Sequence, residues 1–303
     1  MTISVAQFSD THFLAEGEVA EGGFAYDTSA AFEAARASIG ETSFDLIAVT
    51  GDIADHGRPD QYRVAAAALA QLNGPINVCP GNHDQADAFT VGMGRPTIGT
   101  SRVVELENWC FIFADSNAGM MSPDETGRSV DPASYADRLH GNGSLGSAEA
   151  AWIQRMHYTT LADHVFIWIH HPPMPGIAMI DHEPYGSEWT QLIGGLSKVR
   201  GVGAGHTHVP GDYLFEGVPV FVAPSLKNNF DLAVNTLLPP GYRTYTFADD
   251  GTVTSDSHIL DDDRWPRHPM PPLVIALFNG EVEWPEFNDI LARKRAERAL
   301  AGE

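Results

Sequence analysis

Val78-Cys79-Pro80-Gly81-Asn82-His83-Asp84 decides the reading of the chain. A short β-rich run from Pro75 to Val78 halts at Pro80-Gly81, and side chains able to bind a metal or move a proton follow at once. Strand, tight turn and polar cluster is how an α/β sheet presents chemistry at its carboxyl edge. The same arrangement recurs along the chain. Ile3–Phe8 runs into Ser9-Asp10-Thr11-His12, and Phe44–Val49 into Thr50-Gly51-Asp52. Val165–Ile169 stops at His170-His171-Pro172-Pro173, and Val199–Ala204 ends in Gly205-His206-Thr207-His208.

Around these strands, helices are expected at 28–39 with Asp27 or Thr28 as cap, and at 60–72 with Pro59 near the first turn. Two more are expected at 147–160, capped by Ser147, and at 188–196. Val103–Leu106 and Cys110–Ala114 read as a hairpin around Glu107-Asn108. Beyond His208 the strands follow one another without helices: 213–215, 218–222, 242–247 and 253–258. Alternation of β and α followed by antiparallel β indicates two packed sheets with helices outside, in one domain. That domain is expected to span 1–263. A proline-rich link then opens a C-terminal extension, 264–303, holding a strand-like run Leu273–Phe278 and a charged helix at 285–300. So apolar a run is expected to cover a sheet edge or to form the interface of a homo-oligomer.

With 303 residues, 43% of them hydrophobic, the chain can bury a sizeable core. No stretch approaches the roughly 18 apolar residues of a membrane span. The N-terminus enters a strand directly, without a basic or an apolar leader segment, so a cytoplasmic protein is expected. Cys79 and Cys110 lie in or beside apolar runs and read as buried free thiols. Eighteen basic residues against 40 acidic ones leave a net charge of -22. That balance argues against a nucleic-acid polymer or an anionic membrane as partner. It does not exclude a phosphate substrate, because divalent cations among carboxylates reverse the local sign.

The strand ends collect Asp10, His12, Asp52, Asn82, His83, His170, His171, His206 and His208. Singly, such residues are usually helix caps or surface and core histidines. The remaining histidines, His56, His140, His157, His164, His182, His258 and His268, are read as surface. A ligand type at every strand end is instead what a dinuclear centre asks for: two divalent ions need about eight protein ligands between them. A central carboxylate can bridge both. Imidazoles with carboxylates suit Zn, Fe, Mn or Co rather than Mg or Ca. Two such ions about 3.5–4 Å apart clamp the oxygens of a phosphoryl transfer. Asp-x-His and His-x-His are expected to aim both side chains at one place, as alternate residues of extended chain do. Spacing leaves open whether His170 or His171 is the ligand.

In order and in full, these five blocks resemble the motif series of the calcineurin-like metallophosphoesterases. Gly57-Arg58-Pro59-Asp60-Gln61-Tyr62 and His171-Pro172-Pro173 followed by Met179-Ile180-Asp181 are similar to the bacterial class III cyclic nucleotide phosphodiesterases and equally to their glycerophosphodiesterase relatives. The resemblance implies a four-layer α/β/β/α sandwich of two mixed sheets with two metals above the strands' carboxyl ends. It implies that Asp10, His12, Asp52 and His208 hold one ion, and Asp52, Asn82, His170 and His206 the other. Asp52 is then the bridge, and His83 stands beside the metals as acid or phosphate contact. Asn82, His83 and His171 are the implied substrate contacts. Lys227, in the segment 224–229 that lines the pocket in relatives, departs from the pattern and is set beside them as a candidate phosphate contact. The implied reaction is hydrolysis of a small phosphodiester, a 3′,5′-cyclic nucleotide or a glycerophosphodiester, by a metal-bound hydroxide. A phosphomonoesterase or phosphoprotein phosphatase on the same centre is the alternative, and a non-catalytic metal-binding scaffold the rival from another class.

Overall fold

The computed structural model describes residues 2–19, 26–93, 98–119, 143–173, 185–283, 286, 287, 289–291, 293 and 297. Its first half runs β1 (Thr2–Phe8), α1 (Thr28–Ile39), β2 (Leu46–Thr50), α2 (Pro59–Leu69), β3 (Ile76–Cys79), α3 (Ala86–Met93), β4 (Ile98–Gly99), β5 (Val103–Leu106) and β6 (Trp109–Phe113). Then come α4 (Gly146–Thr159), β7 (His164–Trp168), α5 (Tyr185–Ile193), β8 (Val199–Ala204), β9 (Gly211–Phe215) and β10 (Val218–Val222). The chain closes with β11 (Asn229–Asp231), β12 (Thr236–Leu238), β13 (Gly241–Ala248), β14 (Val253–Ile259), β15 (His268–Pro269) and α6 (Pro272–Phe278).

Two six-stranded sheets have the orders β14-β13-β1-β2-β3-β4 and β5-β6-β7-β8-β10-β9, and β11-β12-β15 form a small third. In the first, β1 to β4 are parallel, β13 runs antiparallel to β1, and β14 runs antiparallel to β13. In the second, β6, β7, β8 and β10 are parallel, with β5 and β9 antiparallel at the edges. Alternation at period two sorts each strand between layers. Val5, Leu46 and Ala48 face Trp109, Phe111, Phe166 and Trp168 across the space between the sheets. Ala6, Phe8, Ile47 and Val49 turn the other way, under Phe32 of α1 and Tyr62 of α2. Ile112, Val165 and Ile167 turn toward Ile153 of α4 and Trp189 of α5. The result is the expected four-layer α/β/β/α sandwich. Each fully buried large side chain contributes roughly 1.5–3 kcal/mol, so the aromatic middle layer fixes the spacing of the sheets.

One polar side chain crosses that layer where the site begins. Gln7 Nε2 donates to Thr50 Oγ1 at 2.7 Å and to the Ala204 carbonyl at 3.0 Å, and Tyr245 donates to Gln7 Oε1 at 2.5 Å. It therefore ties the ends of β1, β2 and β8, from both sheets, immediately below the motif-bearing turns.

Some expectations fail. The run Leu273–Phe278 is not a strand but the helix α6, which starts at Pro272. The segment is apolar on every side, so periodicity could not separate strand from buried helix. Val274 and Leu277 pack on Phe230 and Leu237, and His268–Pro269, not the apolar run, pairs with β12. Trp265 is buried in the first core, where Tyr26 packs edge-on against it. Residues described between 286 and 297 are helical; the rest of the helix expected at 285–300 lies outside the described residues. Ser147 does not cap α4. The helix starts one residue earlier, and the Glu188 carboxylate of α5 accepts from the amides of Leu145 and Gly146 at 2.8 and 3.1 Å. His157 and His164, read as surface, are buried. His157 follows Ile153 by four residues and shares its inward face, whereas His164 is wedged between the Asp249 carbonyl and Arg200.

Candidate metal centre

The five motif turns converge above the carboxyl ends of β1, β2, β3, β7 and β8. Backbone bonds stitch the first two together: Asp10 N–H to the Gly51 carbonyl, His12 to Asp52, Phe13 to Ile53, and Asp55 back to Phe13. A further bond joins the two turns of the other sheet, Gly205 N–H to the His170 carbonyl at 3.0 Å. Asp10, His12, Asp52, His206 and His208 all have positive φ, between 40° and 69°. Among described residues the other three non-glycine cases, Glu107, Glu216 and Asn235, sit in hairpin turns. A non-glycine residue held there costs free energy and persists only where surrounding structure enforces it. Extended alternation therefore does not aim Asp10 with His12 or His206 with His208. Two left-handed residues flanking a threonine do so, by folding each turn tightly over its strand end.

Two glycines permit the closeness. A Cβ on Gly81 would lie 2.3 Å from the backbone nitrogen and from Oδ1 of Asp52. A Cβ on Gly205 would lie 1.8 Å from Ser9 Oγ and 2.3 Å from Asp10 Oδ2.

The side chains form two groups around Asp52. On one side, His12 Nε2 is 3.5 Å from Asp52 Oδ2, and His208 Nε2 is 3.1 Å from Asp10 Oδ1. On the other, His170 Nε2 is 3.3 Å from the same Asp52 Oδ2 and 3.1 Å from Asn82 Oδ1. Possible ligand atoms of Asp10, His12 and His208 lie within 4.8 Å of one another, as do those of His170, His171 and His206, and those of Asp10, Asp52 and His170. The second nitrogens of the rings are engaged from behind. His12 Nδ1 meets Asp55, His170 Nδ1 the Thr50 carbonyl, His208 Nδ1 the Asn228 amide oxygen, and His83 Nδ1 the Asp55 carbonyl. Such bonds select the tautomer that presents Nε2 to the interior. His170 thus presents Nε2 to Asp52, whereas His171 stands behind, its Nδ1 on Ser116 Oγ at 2.6 Å and its ring 4.1 Å from that of His206. His83 faces the cluster from the more open side, Nε2 3.9 Å from Asp52 Oδ2.

Buried His12 Nε2 and His206 Nε2 have no hydrogen-bond partner. An unpaired buried nitrogen is costly, and that of His12 is a lone pair facing the Asp52 carboxylate at 3.5 Å. Burial opposes ionisation of Asp10, but His208 and His170 hold its pKa down to about 2. Burial likewise opposes the charge on His170, yet Asp52 and Asp10 raise it to about 9. Burial and neighbouring histidines push His206 and His171 well below the usual imidazole range. His170 thus carries positive charge between carboxylates while His171 and His206 stay neutral. Divalent ions need neutral imidazole and ionised carboxylate, so an ion bound here would displace the His170 proton.

Sequence reasoning gave no role to Asp55, Ser116 and Asn228, and quoted Asp84 only as the end of its opening motif. Asp55 carries His12 and a 2.5 Å ion pair from Lys227 Nζ. Buried Asp84 accepts from the amides of Ile53, Ala54 and Gly81 and from the Tyr62 hydroxyl. It thereby locks the Asp52 turn to the Asn82 turn. Asp55, three residues beyond Asp52, and Asp84, directly after His83, carried the only local signal. Lys227 turns its ammonium to Asp55. Most of the segments 16–26, 117–146 and 174–185, which follow the strand ends, lies outside the described residues, with His140 and His182.

Residues 3–210 match the family described as calcineurin-like phosphoesterase. The chain is 25% identical to the 3′,5′-cyclic adenosine monophosphate phosphodiesterase CpdA of Escherichia coli K12, over 87% of this chain and 92% of that protein. It is also 25% identical to a probable glycerophosphodiester phosphodiesterase GpdQ of Arcobacter nitrofigilis, over 84% and 93%. Among solved structures, a dimetal phosphatase from Danio rerio superposes with a TM-score of 0.55 at 13% identity, covering 86% of this chain and 99% of that one. At that identity the likeness concerns the fold alone.

Proposed function

Because the chain belongs to the calcineurin-like phosphoesterase family and is thus a hydrolase of phosphoesters, we propose that it is a dinuclear phosphodiesterase of small diesters, cyclic nucleotides or glycerophosphodiesters. The observation that carries this is the shared carboxylate: His12 Nε2 and His170 Nε2 approach the same Asp52 oxygen from opposite groups. Asp10, His12, Asp52 and His208 would hold one ion, and Asp52, Asn82, His170 and His206 the other. Zn, Fe, Mn or Co suits that mixture of nitrogen and oxygen. Two such ions would supply electrophilic stabilisation of the phosphoryl oxygens and activation of water. His83 stands beside them on a more open side, where it can hydrogen-bond a phosphate oxygen or protonate a leaving alkoxide. Its Nδ1 is fixed on the Asp55 carbonyl at 2.6 Å, so Nε2 is the nitrogen that works. The relatives named for cyclic nucleotides and for glycerophosphodiesters support the diester class.

The test joins metal analysis to parallel assays. Two ions per chain are expected, lost to chelator together with activity and restored by Mn, Co, Fe or Zn. Bis(p-nitrophenyl) phosphate should be cleaved well ahead of p-nitrophenyl phosphate. Full activity with one ion or none, or a preference for the monoester, overturns the reading.

A further inference from the structure

We infer that Lys227 is a positioning residue that acts through Asp55 on the ion held by Asp10, His12, Asp52 and His208. This rests on the dinuclear reading above. Lys227 Nζ lies 2.5 Å from Asp55 Oδ1, and the same oxygen accepts from His12 Nδ1 at 2.8 Å. Ammonium and imidazole therefore share one carboxylate oxygen. Nζ is also 3.5 Å from His12 Nδ1, on the ring edge turned away from Asp52, while Nε2 lies 3.5 Å from Asp52 Oδ2. The lysine is thus behind the ligand rather than in front of it.

Its loop is built to keep it there. The Lys227 amide donates to Ser225 Oγ at 2.9 Å, and its carbonyl accepts from the Tyr26 amide at 2.9 Å. The next residue supports the companion ring, with Asn228 Oδ1 2.5 Å from His208 Nδ1. One short segment therefore touches the outer nitrogens of both imidazoles on this side of the centre.

A carboxylate behind a ligating imidazole raises its basicity and tightens the metal. An ammonium on the same oxygen draws that charge away, and a cation close to the ring disfavours further positive charge on it. Lys227 accordingly weakens the hold on this ion while it pins Asp55, and with it the His12 tautomer, in place. It does not act as a phosphate contact.

The experiment titrates metal-free protein with Mn(II) or Zn(II) against a chromophoric chelator, which reads affinity independently of activity. Lys227→Met is expected to tighten one of the two ions about tenfold, and Asp55→Asn to loosen it by roughly 10–100-fold, the usual range for a partner behind a ligand. In the Asp55→Asn background the lysine change should have less than about a threefold effect, because its route is gone. Lys227→Arg, which keeps the charge, should titrate as wild type, and Lys227→Gln repeats the measurement if methionine packs poorly. Unchanged affinities with a raised KM for diesters would show a phosphate contact and overturn the inference. Equal tightening with and without the Asp55 carboxylate would show direct action on the ion and overturn the route. A wild-type chain that takes up no ion fails earlier, and sinks the dinuclear reading as well.

Discussion

Gly81→Ala should disable the centre without replacing any proposed ligand. The new methyl would stand 2.3 Å from Asp52 Oδ1, 2.3 Å from the Asp52 nitrogen and 3.0 Å from its Cγ. Reaching the 3.4 Å of ordinary contact requires the carboxylate and the turn that carries it to withdraw by about 1.1 Å. Rotation of the side chain cannot achieve this, because the backbone nitrogen is equally close and lies in the turn stitched to Asp10 and His12. The φ of Gly81 is not positive, so the effect is steric rather than conformational. Overpacking of this kind costs about 1–3 kcal/mol, and a displacement near 1 Å in a catalytic arrangement costs about a hundredfold in rate. Melting temperature, metal content and kcat/KM on bis(p-nitrophenyl) phosphate would be measured beside Gly186→Ala, where a methyl meets nothing within 4 Å. A Gly81→Ala protein with full metal content and activity within a few-fold of wild type would refute the placement of Asp52 at the hub.

His83→Ala is expected to slow alkyl diesters by roughly 10²–10⁴-fold and aryl diesters much less, since nitrophenolate leaves without a proton; equal losses on both at unchanged metal content would count against an acid role. Metal-free protein should lose stability as pH rises from 7 to 9.5. The folded-state pKa of His170 is raised to about 9, so its contribution is complete below the unfolded value near 6.5 and vanishes above 9, by up to about 3 kcal/mol. Saturating metal, which replaces that proton, should abolish the decline; a denaturant series with and without Mn(II) decides it. Truncation after Asp263 removes Trp265 from the first core and should lower the melting temperature by several degrees, whereas an unchanged melting curve would show that the tail adds nothing to the catalytic layers.

The sandwich and its reactive edge were legible in the chain because both are written locally. Unbroken apolar runs such as Trp109–Phe113 and Val165–Ile169 mark strands buried on both faces, and a strand followed at once by Gly81-Asn82-His83 needs no distant partner to be recognised. Helix α1 was legible for the same reason, since Asp27 caps it through its own neighbour Ala30. What failed locally was any feature whose partner is far along the chain. Glu188 caps α4 from more than forty residues away, and Lys227 reaches Asp55 across 172 positions. The different orientations of His170 and His171 are invisible in a dipeptide; they are set by Thr50, Asn82 and Asp52 on one side and by Ser116 on the other. Leu273–Phe278 is equally apolar read as strand or helix, and only the neighbouring Phe230 and Leu237 select the helix. The left-handed turns at Asp10, His12, Asp52, His206 and His208 belong to the same class. No residue type there prefers positive φ strongly enough to announce it, and tertiary hydrogen bonds between turns of different strands impose it.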